Sequence, residues 1–247
     1  MSLDQLLKKY GIIVDKDAFF EELMQKHNIH QASVIKKDNK FYTPSTSQVS
    51  NIIGSEKTAQ PMFPAKFTKE GYCAAIDRLT DEKCLDTIRS EFQKIDNKIM
   101  ANRVNQLAGF NHKAKDYISQ IEDDEDNAGL RLSDEFMKYL NALNPLKYIR
   151  LSDKPKYSAL AKAMLDYLKS AGFFVPELER RFDSDNMYDL FNNGIIPEDT
   201  TDPSLDNVIK KIDILPYVSF IVYDGEKIYK ILPGSCSIYK FRNERGY

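Results

Sequence analysis

Glycine, cysteine and histidine are scarce in this chain: ten, three and three in 247 residues. The glycines do not cluster, and no P-loop, GxGxxG or GxSxG pattern occurs, which disfavours nucleotide-driven enzymes and hydrolases of the familiar kinds. Cys73, Cys84 and Cys236 are scattered and odd in number, so they imply neither a disulfide framework nor a thiolate zinc site. A reducing, cytoplasmic compartment is expected. Cys73, beside Ala74 and Ala75, reads as a small core residue. No apolar run approaches the roughly 20 residues of a membrane span. Met1 to Gly11 also lacks the basic start and apolar stretch of a secretory leader. A soluble protein without a membrane partner is therefore expected. The lysine- and asparagine-rich texture suggests an AT-rich bacterial or phage genome.

The chain is 42% hydrophobic and 29% charged, enough to bury a core without staples. Its clearest pattern runs from Thr80 to about Ala108. There Leu85, Ile88, Phe92, Ile95 and Ile99 recur at spacings of three, four, three and four, which predicts one long amphipathic helix capped by Thr80 and ended by Gly109. Helices are also expected over 69–79, 114–121, 134–143 and 155–170, the last stopped by Gly172, with shorter ones over 177–182 and 186–192. The segment 193–206 is polar and carries Pro197 and Pro203, which reads as a loop.

Before this body, 1–60 reads as a small helix-plus-hairpin module, with helices over 3–10, 17–26 and 46–54 and strands over 32–35 and 40–42. Pro61 and Pro64 mark a linker. After it, the runs Pro216 to Tyr223 and Glu226 to Leu232 flank Asp224-Gly225, a strong hairpin signal, and Ser237 to Phe241 supplies a third strand. The predicted class is α+β: an N-terminal module (1–60), a helical bundle (68–182), and an acidic loop with a three-stranded antiparallel meander (183–247).

The net charge of −2 conceals an uneven distribution. Glu122 to Glu135 holds seven acids and one arginine, whereas Lys147, Arg150, Lys154, Lys156 and Lys162 stand against Asp153 alone. Tyr148 and Tyr157 interleave with these cations, as in single-strand nucleic-acid contacts. Lys147, Arg150, Lys154, Lys156 and Tyr157 are the candidate binding residues. The expected function is non-enzymatic binding of an acidic protein or nucleic acid, with protein docking or self-association through the 81–108 helix.

Other chemistries are less well supplied. Asp124, Asp126, Gly129 and Glu135 fall at positions one, three, six and twelve of a calcium-type loop, but Ala128 at the fifth offers no side-chain oxygen. His27 and His30 are three apart, near a helix end that explains His27 without zinc. Residues 47–58 have a helix-turn-helix texture, yet residues 1–70 hold ten lysines against eight acids and no arginine. The competing class is a metal-dependent phosphodiesterase or nuclease. It would draw on Asp183, Asp185, Asp189 and Asp213, or on Asp213, Asp224, Glu226 and Lys227 beside the C-terminal strands. No metal or cofactor is otherwise expected.

Overall fold

The computed structural model describes residues 59–121, 127–182, 185–192 and 194–242, all within a unit spanning Ile52–Tyr247. The expected N-terminal helices and hairpin, His27 and His30, and the helix-turn-helix texture lie outside the described residues. Met62 and Phe63, in the proline-containing segment expected as a linker, are fully buried, and Met62 N–H donates to the Phe220 carbonyl at 2.7 Å. Arg78 ties this segment down by donating to the Pro61 and Met62 carbonyls at 2.7 and 2.8 Å.

Thr68 caps α1 (Lys69–Leu79) by accepting from Gly71 N–H. The next helix, α2 (Glu82–Lys94), is capped by Asp81. Thr80 closes α1 instead, its hydroxyl donating to the Ile76 carbonyl at 2.6 Å. The single long helix is also corrected: α2 ends at Ile95, and α3 (Lys98–Gln120) begins after a break at Asp96-Asn97. Asp96 sits in the left-handed region at φ 56°, and Asn97 recaps the chain by accepting from Met100 N–H. The break resets the phase of the apolar stripe. Leu85, Ile88 and Phe92 stay buried, α3 buries Val104, Leu107, Phe110, Ala114 and Ile118, and Ile99 is left 72% exposed. Gly109 lies inside α3 and stops nothing.

The helix α4 (Ala128–Leu143) buries Leu132, Phe136, Leu140 and Leu143, followed by the short α5 (Pro145–Ile149) and then α6 (Pro155–Ser170). Gly172, at φ 87°, ends α6 as expected. Its N–H donates to the Lys169 carbonyl and the Phe173 N–H to that of Leu168, a Schellman pair. α2 packs on α3 and α6, α3 on α1 and α4, and α5 on α6. The rings of Phe110 and Phe136, 6.0 Å apart, join α3 to α4.

Helix α7 (Asp185–Leu190) matches the expected short helix, but 177–182 is not helical, and Arg181 bridges to Val208. The supposed loop holds β1 (Ile195–Thr200), and β2 (Ile209–Ile214) follows. The hairpin β3 (Tyr217–Tyr223) and β4 (Glu226–Leu232) forms where expected, with Asp224 and Gly225 both at positive φ, as a type I′ turn demands. β5 (Ser235–Phe241) leaves the hairpin, so the predicted three-stranded meander is two sheets. In the second, β5 lies between a parallel β1 and an antiparallel β2. The architecture is α+β, with α4 packed against the hairpin and Tyr217, Ile221 and Leu232 joining the helical core. Among the described residues no helix is long and apolar enough to cross a membrane.

Candidate functional site

Three of the five candidate binding residues meet in one place. Asn144, left-handed at φ 50°, ends α4, and Pro145 opens α5 immediately afterwards, so the chain turns a sharp corner. A run of turns then carries it to Pro155: Arg150 N–H donates to the Leu146 carbonyl, Leu151 to Tyr148, and Lys154 to Leu151, each at 3.0 Å. Spacings of three and four bring Lys147, Arg150 and Lys154 to one side of this corner, where they line a cleft of about 800 Å³.

Part of the wall comes from the strands. Ile214 at the end of β2, Leu232 at the end of β4, and Pro233 line the same cleft as the cations. Their placement depends on the approach of two turns, because a Cβ on Gly234 would collide with the Ile214 carbonyl and one on Gly194 with the carbonyl of Gly234. Lys230 on β4 also reaches Asp134 on α4 at 2.5 Å, pinning the hairpin to the helix. Leu146 and Leu151 extend the aliphatic surface, while Asn141, Asn144 and Asp153 supply neutral and acidic polar groups.

The electrostatics of the cleft are one-sided. Lys147, Arg150 and Lys154 are exposed, and among the described residues none of them makes an ion pair, whereas Lys94, Lys115, Lys210, Lys211 and Lys230 all do. Among the described residues Asp153 is the single carboxylate of the lining. Lys147 Nζ lies 5.8 Å from the Tyr148 ring centroid, so an incoming anion meets cations it need not first separate from a carboxylate.

The other two candidates lie apart from this lining. Lys156 is exposed with its Nζ 5.7 Å from the Tyr157 ring centroid, and half-buried Tyr157 packs on Tyr148 with centroids 6.4 Å apart. Tyr148, read in the sequence as interleaved with the cations, is only 4% exposed. Its ring stands edge-on to Phe92 at 5.0 Å, and burial raises its phenol pKa. The aromatics of this segment thus belong to the core. Sequence reading missed Asn141, Asn144, Leu151, Ile214, Leu232 and Pro233. Asn144-Pro145 is a legible helix stop, but the strand residues carry no local signal of their place in the cleft.

Among the described residues the carboxylate candidates do not assemble. Of the calcium-type loop, Asp124 and Asp126 lie outside the described residues, while Gly129 and Glu135 sit on the continuous helix α4, where a cation loop would still be turning. Gly129 faces Tyr72, whose hydroxyl a Cβ there would meet at 2.8 Å. Asp213 pairs with Lys211 at 2.6 Å, Asp224 occupies the hairpin turn, and Asp189 and Glu226 are exposed. Lys227 Nζ lies 4.8 Å from the Phe220 ring centroid. Asp183 and the Asp185 side chain lie outside the described residues, and His112 stands on α3 with Nε2 3.4 Å from Asp116. Among the described residues no group of three or more His, Cys, Asp or Glu side chains is placed to hold a metal ion. No protein-family model, curated protein or solved structure matches the chain.

Proposed function

We propose that this chain is a non-enzymatic binding protein that holds an acidic macromolecule in the cleft between the α4–α5–α6 corner and the strand ends. The observation that carries this reading is the convergence of Lys147, Arg150 and Lys154 on one cleft with no ion-pair partner among the described residues. Exposed charges of this kind speed encounter and orient a partner, while each solvent-exposed pair adds only about 0.2–1 kcal/mol of affinity. The partly open apolar lining supports the same reading: Leu151 and Ile214 are half-buried and Pro233 is exposed, and a seated partner would remove that area from water. Lys156, just outside, adds to the long-range field.

The test is a titration of labelled polyglutamate and of a mixed oligonucleotide at increasing ionic strength. Affinity for at least one of them is expected to fall steeply between about 0.05 and 0.5 M salt, as screening shortens the reach of the cations. An affinity indifferent to salt, or no binding to either polyanion at low salt, contradicts the proposal.

A further inference from the structure

The lining of the cleft discriminates between kinds of acidic partner. Single-stranded nucleic acid is held by stacking its bases on exposed aromatic faces along a positive groove. Among the described residues the lining contains no aromatic side chain, and the nearest one in sequence, Tyr148, is buried against Phe92. The open apolar part of the lining is aliphatic: Leu151 and Ile214 are half-buried and Pro233 is exposed. Such a surface suits a branched aliphatic side chain.

The remaining polar groups point the same way. Asp153, next to Lys154 in the lining, can accept a hydrogen bond from a peptide N–H. Asn141 and Asn144 each carry a donor and an acceptor, the complement of a peptide group, at the turn that forms one side of the cleft.

From these observations we infer that the occupant is an acidic polypeptide segment carrying an aliphatic side chain. Its carboxylates meet Lys147, Arg150 and Lys154, and its apolar side chain seats on Leu151, Ile214 and Pro233. This inference rests on the binding function proposed above and narrows it from any acidic macromolecule to one chemistry.

Fluorescence anisotropy with three labelled probes tests it. The first is a peptide of about a dozen residues, rich in glutamate with two leucines. The second has the same charge with serine in place of leucine, and the third is an oligothymidylate of similar length. The leucine peptide is expected to bind about tenfold tighter than the serine peptide, the scale set by burying one aliphatic side chain. The oligothymidylate is expected to bind no tighter than the serine peptide. Lys154→Glu, at an exposed position, should weaken both peptides, whereas Leu151→Ala should remove only the advantage of leucine. Equal affinity of the two peptides, or tighter binding of the oligonucleotide, overturns the peptide assignment while the cationic cleft stands. If Lys154→Glu changes the affinity of no probe, the cleft itself is overturned, and the peptide assignment falls with it.

Discussion

At the scale of single residues, two groups are open to direct test. The Tyr167 hydroxyl, fully buried, donates to the Leu79 carbonyl at 2.7 Å, the last carbonyl of α1, and burial drives its pKa far above the ordinary phenol range. Tyr167→Phe leaves that carbonyl unsatisfied in the core and is expected to cost about 1–3 kcal/mol in a denaturant titration. An unchanged midpoint would show that the bond contributes nothing. Gly109 is the opposite case: it is exposed, inside α3, and a Cβ there would touch nothing within 4 Å. Gly109→Ala should therefore stabilise by about 0.5–1 kcal/mol, since glycine costs a helix interior that much in backbone entropy. A loss of stability on that substitution would contradict the helical assignment of the position. Gly109 was legible as a glycine but not as a helical one. The sequence permits a left-handed stop there just as it does at Gly172, and only Gly172 takes it.

At the scale of elements, the hydrophobic period was reliable for where helices occur and misleading for where they join. Leu85 to Ile99 keeps its spacing across Asp96-Asn97, yet those two residues are the ones suited to a left-handed turn and an N-cap, and they break the helix. β1 and β2 were not legible for a different reason. Ile-Ile-Pro-Glu-Asp-Thr carries a proline tolerated at a sheet edge, and its pairing partner, β5, lies far along the chain, so no local pattern reports it. Between elements, Asp77 on α1 meets Lys115 and Asn111 on α3, which hold its carboxyl below the ordinary carboxylate range, the lysine hydrogen bond contributing most. The native state thus binds fewer protons than the unfolded chain. This contribution is fully present above a pH of about 4 and is lost as pH falls through the depressed native value. Asp77 is exposed enough that the effect is expected at ~0.5 kcal/mol or less. Asp77→Asn should flatten the acid limb of the stability profile; an acid limb identical to that of the parent would show that the contact is too screened to matter.

At the scale of the whole molecule, the cleft is a product of topology. Its cationic side was legible because Lys147, Arg150 and Lys154 are close in sequence and spaced for one side of a helical turn. Lys156 and Tyr157 shared the same signal and lie outside the lining. Its aliphatic wall was not legible, because Ile214 and Leu232 arrive only through the approach of the β2–β3 and β4–β5 turns around Gly234. Gly234→Ala is expected to force those turns apart at a cost of about 1–3 kcal/mol and to weaken binding in the cleft as well. Retained stability and affinity together would separate the wall from the site.

The most direct measurement compares two double charge reversals that change the net charge equally. Lys147→Glu with Lys154→Glu alters the lining, whereas Lys162→Glu with Lys169→Glu alters exposed lysines of α6 outside it. Titrated with the acidic leucine-bearing peptide at constant salt, the first pair is expected to lose about tenfold or more in affinity, and the second to stay within about twofold of the parent. Equal losses from both pairs would mean that overall charge, rather than the cleft, holds the partner.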